Sequence, residues 1–179
     1  MVEQLDISPN QDGAILKEVK KTGLDPNDKP WKGDRVSVHY VGKLEDGTQF
    51  DSSRSRNEQF VFNLGKQEVI KGWDYGVITM AKGEVAVFTI QAEYAYGATG
   101  SPPKIPGGAT LIFEIELFDF EGEDISKERD KSVVKRIQSS GEGYDHPNVS
   151  SITILRVLLS KKYSLVTGMV DIYVVSLNL

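Results

Sequence analysis

Glu68-Val69-Ile70-Lys71-Gly72-Trp73-Asp74-Tyr75 is the run that organises this 179-residue chain. Ile70, Trp73 and, just beyond it, Val77 recur at helical spacing, so one short helix lays an indole against the sheet beneath it. The helix opens after Gly65-Lys66 with no Ser or Thr cap, and Val69-Ile70 lead into it as an extended hinge. A tryptophan at the start of a helix either plugs a core or floors a pocket. The flanking segments must decide between the two.

Upstream, residues 59–64 read as a strand with Phe60 and Phe62 on one face. Residues 35–44 alternate, with Val36, Val38 and Tyr40 on one side and Ser37, His39 and Val41 on the other. Glu45-Asp46-Gly47-Thr48 carries the Asp-Gly hairpin signal, Gln49 and Phe50 resume the strand, and 51–58 form a polar bulge or flap. Residues 14–21 are a further strand, followed by a turn-rich segment, 22–33, holding Pro26 and Pro30. The polar residues 1–12 offer Leu5 and Ile7 for pairing at a sheet edge. Downstream, 85–91 and 110–118 are strands, the second with Leu111, Phe113, Ile115 and Leu117 on its inner face. Strands joined without helical crossovers exclude a parallel, doubly wound sheet. They predict an α+β fold, an antiparallel sheet of five to six strands wrapped around one short helix.

Hydrophobic residues at 39% and charged residues at 26% are the balance of a globular domain. A net charge of −5 leaves no basic surplus for phosphates, so nucleic acid is not expected as a partner. With no cysteine, disulfides, thiolate zinc sites and a thiol nucleophile are excluded. His39 and His146 alone give a poor basis for a histidine metal site or a triad, and neither metal nor cofactor is expected. No charged-then-apolar leader opens the chain, and Lys161, Lys162 and Asp171 interrupt the C-terminal apolar runs. Secretion and a membrane span are therefore not expected, and the assigned location is the cytoplasm, with the nucleus as a second.

From 122 to 131 a charged segment reads as a linker. An echo follows: Ile15-Leu16-Lys17-Glu18-Val19-Lys20-Lys21-Thr22-Gly23 resembles Val133-Val134-Lys135-Arg136-Ile137-Gln138-Ser139-Ser140-Gly141, an offset of 141 − 23 = 118. Ile152-Thr153-Ile154 then stands where Val36-Ser37-Val38 stands, after a two-residue deletion. The repeat stops there, with Arg156 in the place of Tyr40. Residues 156–179 lack a clear period and read as strand filler, an altered C-terminus or a segment that pairs with a partner.

Aromatic residues more often build core than site. The stretch 94–109 shifts that balance, because an ordered loop holding Gly97, Gly100, Pro102, Pro103, Pro106, Gly107 and Gly108 is more often a binding loop than a spacer. Tyr40, the run Gly47-Thr48-Gln49-Phe50-Asp51-Ser52-Ser53, the run from Leu64 to Trp73, then Tyr94-Ala95-Tyr96-Gly97-Ala98-Thr99-Gly100 and Ala109-Thr110-Leu111-Ile112-Phe113 resemble the FKBP family. These are the immunophilin peptidyl-prolyl isomerases that bind rapamycin and tacrolimus. The likeness covers roughly residues 14–121, and the flanking segments resemble the large multi-domain members. It implies an N-terminal extension over 1–13, an isomerase domain over 14–121, the linker 122–131, and an incomplete second FKBP-like domain over 132–179.

The resemblance implies a twisted half-barrel whose pocket is walled by Tyr40, Phe50, Phe60, Val69, Ile70, Tyr96, Ile105 and Phe113, with Trp73 as floor and Asp51, Arg56 and Glu68 also meeting ligand. Tyr40, Phe50, Asp51, Trp73, Tyr96 and Phe113 are the implied catalytic set. Asp51 alone reads either as a turn carboxylate satisfying backbone or as a rim carboxylate held by Tyr40 and Arg56. Phe62 and Phe88 are assigned to core, His39 to the surface, and Ser101 and Lys104 to the loop tip. Rotation of an X–Pro bond forms and breaks no covalent bond, so an apolar cavity that favours the twisted amide suffices. Hydrogen bonds from the Ile70 N–H and the Tyr96 hydroxyl are carried over from the family. Expected partners are proline-containing peptides or proteins, rapamycin- or tacrolimus-type macrolides, and a protein docked on the 97–109 loop. Chaperone docking is not expected without a helical-repeat domain. The alternatives are a binding module whose catalysis is incidental, and a C-terminal appendage that dimerises or masks the pocket.

Overall fold

A computed structural model describes residues 4–124 and the backbone of strands at 133–140, 154–158, 163–167 and 171–177. Its first compact unit runs to Pro30 and again from Arg35 to Phe120; Trp31–Asp34 and the strands from Glu121 onward belong to a second. In the first unit β1 (Leu5–Asp6), β2 (Ile15–Lys21), β3 (Arg35–Leu44), β4 (Gln49–Ser52), β5 (Phe60–Asn63), β6 (Val85–Ile90) and β7 (Leu111–Glu121) form one sheet. The order is β1-β2-β6-β7-β3-β4, with β5 also on β3. The sheet thus has seven strands where five to six were expected. The seventh is β1, which pairs antiparallel to β2 from inside the 1–13 stretch. Two short partners share one edge of β3: β5 takes Arg35 to Val38, and β4 takes Val41 to Lys43.

Period-two alternation fixes which face is inward. Val36, Val38 and Tyr40 of β3 are buried, as are Leu111, Phe113, Ile115 and Leu117 of β7, and these join Ile15, Ala86, Phe88 and Ile90 in one apolar cluster. Helix α1 (Lys71–Val77) lies on that cluster. Its N-cap is Ile70, in extended conformation with ψ 149° and no side-chain cap, so Val69-Ile70 form the hinge the sequence suggests. The Ile70 carbonyl accepts from Trp73 N–H at 3.0 Å, starting the helix without a polar side chain. Seven residues are too few to persist alone in water, so packing holds this helix. Gly72 and Gly76 face β6 with no room for a methyl group: a Cβ would sit 2.5 Å from Ile90 and 2.9 Å from Phe88. That close approach sets the depth at which Trp73 meets the sheet.

The long segment between β6 and β7 is not a slack loop. After a 3₁₀ turn (Ala92–Tyr94), Ser101 and Ile105 exchange backbone hydrogen bonds at 2.8 and 3.0 Å, and Gly108 N–H reaches Gly97 O at 2.9 Å. It projects as a loop braced by these bonds, with Pro102, Pro103 and Lys104 exposed at its tip.

The second unit contains a separate antiparallel sheet ordered β10 (Ile154–Leu158), β11 (Tyr163–Thr167), β12 (Asp171–Leu177), β9 (Val133–Ser140), β8 (Glu123–Asp124). The offset of 118 carries β2 onto 133–139, where β9 runs. Ile152 and Thr153 of the internal echo, and most of the 122–131 segment, lie outside the described residues.

Candidate active site

An open cleft sits above α1 on the inner face of the first sheet. Its floor is Trp73, only 4% exposed, at the start of the helix. The indole is ringed edge-on: Tyr40 at 5.0 Å between centroids, Phe113 at 5.2 Å and Phe60 at 5.9 Å, all near perpendicular. Phe50 stands against Phe113 at 5.5 Å in the same T-shaped manner. Perpendicular contacts set ring edges against ring faces, the arrangement the aromatic quadrupole favours. β3 and β7 deliver Tyr40 and Phe113 from the sheet, β4 and β5 deliver Phe50 and Phe60 from the shared edge, and the hinge supplies Val69 and Ile70. Phe62 tilts against Trp73 at 5.8 Å from below and is 3% exposed, and Phe88 is fully buried. Both belong to the core.

One wall is polar. The Tyr40 hydroxyl donates to Asp51 Oδ2 at 2.5 Å, Arg56 pairs with Asp51 Oδ1, and Arg56 Nη2 donates to the Tyr40 hydroxyl oxygen at 3.0 Å. Burial pushes the Asp51 carboxyl up, but bonds from Tyr40, Arg56 and the Ser52 N–H together outweigh it and hold the carboxyl below its ordinary range. The Tyr40 phenol is pushed up by burial and by its bond to Asp51, with Arg56 opposing. Across the cleft Glu68 is held by Asn63, whose N–H and Nδ2 each donate at 2.8 Å, the first of which does most to lower its pKa.

Hydrogen-bond donors around the cleft are left over. Among the described residues neither the Ile70 N–H nor the Tyr96 hydroxyl meets an acceptor. The Tyr96 phenol is pushed up by burial and then by the nearby Asp51 charge, so it carries its proton at neutral pH. Trp73 Nε1, buried in the floor, also has no partner among the described residues.

Of the residues singled out from the sequence, Tyr40, Phe50, Asp51, Phe60, Glu68, Val69, Ile70, Trp73, Tyr96 and Phe113 line the cleft, and Arg56 reaches it through Asp51 and Tyr40. Ile105 does not line it. Its backbone bridges Ser101, and its side chain, 4% exposed, packs in the apolar cluster. His39 is half-buried, edge-on to Phe118 at 5.3 Å, with Nδ1 2.9 Å from Ser53 Oγ. Ser53, read only as part of a motif, is a residue whose place the sequence analysis missed.

Residues 27–118 match the model of the FKBP-type peptidyl-prolyl cis-trans isomerase family. Human peptidyl-prolyl cis-trans isomerase FKBP4 is 54% identical over 151 residues, 84% of this chain and 33% of that protein. FK506-binding protein 59 of Drosophila melanogaster is 49% identical over 142 residues, 79% of this chain and 32% of its own. Mouse peptidyl-prolyl cis-trans isomerase FKBP2 is 57% identical over 93 residues, 52% of this chain and 66% of that protein. The chain thus spans about a third of the length of the larger relatives. With its cleft, its α+β sheet and this match over half its length, the chain belongs to the FKBP-type peptidyl-prolyl cis-trans isomerase family.

Proposed function

We propose that the cleft above Trp73 speeds cis–trans rotation about X–Pro bonds in peptides and proteins, and that rapamycin- and tacrolimus-type macrolides compete for it. The observation that carries the reading is an aromatic hollow whose spare polar groups include two unpartnered donors, Ile70 N–H and Tyr96 hydroxyl.

The barrier to be lowered is the loss of amide resonance, about 18–20 kcal/mol. In the twisted state the amide is less dipolar, so it loses less than the planar ground state on leaving water for an apolar cavity. The proline ring stacks on the indole, the Ile70 N–H donates to the substrate carbonyl, and the Tyr96 hydroxyl donates to a second carbonyl. Taking tens of seconds to milliseconds needs roughly four decades, or about 5–6 kcal/mol. Ring burial and two hydrogen bonds in a partly dry site are of that size.

The test is a cis-to-trans assay on a proline peptide with and without rapamycin. Turnover that rapamycin abolishes, and that Trp73→Leu lowers by about tenfold or more in a chain still folded by circular dichroism, supports the reading. A wild-type chain with no turnover above the uncatalysed rate overturns it. Tight macrolide binding without turnover makes the domain a binding module. That second reading has its own observation in the braced 97–109 projection with its exposed Pro102-Pro103-Lys104 tip, a shape suited to docking a protein.

A further inference from the structure

Tyr40 sits at a gap in the ladder along its own strand. On the shared edge of β3, pairing with β5 ends at Val38 opposite Phe60, and pairing with β4 begins at Val41 opposite Ser52. Neither strand faces His39 or Tyr40, because residues 53–59 leave the sheet there as a flap. The buried N–H and C=O that Tyr40 turns toward this edge still need partners. Ser53 supplies both. Tyr40 N–H donates to Ser53 Oγ at 2.8 Å, and Tyr40 O accepts from Ser53 N–H at 3.1 Å and from the Ser53 hydroxyl at 3.3 Å. His39 Nδ1 lies 2.9 Å from the same oxygen, so the hydroxyl has three polar neighbours. Ser53 is fully buried, and no polar atom of it is idle.

Its carbonyl holds the flap. Arg56 N–H and Glu58 N–H donate to Ser53 O at 3.2 and 3.3 Å, closing the turn that carries Arg56. One residue therefore fixes the backbone of Tyr40 on one side and of Arg56 on the other, and those two side chains converge on Asp51.

We propose that Ser53 is a positioning residue for the isomerase reaction, its hydroxyl standing in for the missing strand partner and setting the Tyr40 hydroxyl against Asp51 at the cleft wall. This rests on the isomerase reading above. Alanine at 53 keeps the backbone bond to Tyr40 O but orphans the Tyr40 N–H in a buried place, so β3 must shift locally to find it a partner. A displacement of that kind at a cleft wall costs rate through misalignment.

The experiment is a double-mutant cycle that follows turnover of a proline peptide and the melting temperature together. Ser53→Ala is expected to lower kcat/KM by about tenfold, and by less than about twofold once Tyr40→Phe has removed the hydroxyl it positions. The fall in melting temperature is expected to be the same in both backgrounds. Equal rate losses in both backgrounds, or wild-type turnover in folded Ser53→Ala, overturn the proposal. Should Ser53→Ala fail to fold, Ser53→Cys, of similar size and weaker hydrogen bonding, carries the same cycle with the same criteria. A wild-type chain without turnover fails the isomerase reading; a working wild type with no coupling between 53 and 40 fails this inference alone.

Discussion

Lys17 with Glu84 and Arg56 with Asp51 are ion pairs of the same chemistry in different surroundings. The first pair is dry, its side chains 6% and 8% exposed, with Lys17 Nζ 2.7 Å from Glu84 Oε1. The second is wet, at 48% and 37%. Lys17 also donates to Thr79 O at 3.1 Å and Thr79 Oγ1 at 3.0 Å, and Glu84 accepts from Ala81 N–H at 3.0 Å. These bonds clamp the turn after α1 to β2 and so hold the far end of the helix that carries Trp73. Burial lowers the Lys17 pKa, and Glu84 pulls it back up. Asp51 and Arg56 instead share their bonds with the Tyr40 hydroxyl at the cleft mouth. Exposure, more than pairing, separates a clamp from a site. A pair sealed in the core can only hold the fold, whereas a pair at a cleft can exchange water for ligand.

The largest effect expected from this contrast is on stability. Glu84→Gln leaves the Lys17 charge buried without its anion and should cost about 3–5 kcal/mol in urea unfolding, with turnover of the folded fraction little changed. A cost under about 1 kcal/mol would show that water reaches the pair and that the contrast is false. Next comes removal of both charges. Lys17→Met with Glu84→Leu should stay within about 2 kcal/mol of wild type, because the desolvation cost of both ions disappears along with their attraction. Equal losses in the single and double variants would mean that the bonds to Thr79 and Ala81, rather than the charges, make the clamp.

The inner faces of β3 and β7 were legible because alternation states them directly: Val36, Val38, Tyr40 and Leu111, Phe113, Ile115, Leu117 each skip one residue and all are buried. The uncapped helix was legible from Ile70, Trp73 and Val77 for the same kind of reason. Lys17 shows a signal left unused. It shares the inward phase with Ile15, and a lysine in that phase requires a buried carboxylate somewhere in the chain. Which carboxylate depends on how α1 and β6 fold back, and no local pattern encodes that. The division of one β3 edge between β4 and β5 was hidden similarly, since each short run suits a strand anywhere. Ser53 could not be found without that division, because its role is to fill the gap between them. The burial of Ile105 was hidden for a complementary reason. Residues in a Gly- and Pro-rich loop carry no period, so its inward turn rests on the bridge to Ser101 alone.

At the wet pair the expected order of effects reverses. Asp51→Asn removes the charge but keeps the shape, and should lower kcat/KM by about tenfold while stability moves by less than about 1 kcal/mol. A stability loss comparable to that of Glu84→Gln, with turnover intact, would make the rim a second clamp.

The smallest effect is the acid limb of the same carboxyl. Asp51 has a folded pKa below its ordinary 3.8, so the unfolded chain takes up its proton first as pH falls. The stability it contributes is complete above the unfolded value and disappears as pH drops through the folded one. Wild type minus Asp51→Asn, measured by thermal unfolding from about pH 6 to about pH 2.5, should therefore shrink toward zero only at the acid end. Its size should stay under about 1 kcal/mol and fall further in high salt, because solvent screens both partners. Glu84 and Lys17, sealed from the same solvent, should show little response to added salt at neutral pH. If salt weakened both pairs alike, the Lys17 side would have to be open to water, and burial would no longer distinguish the two.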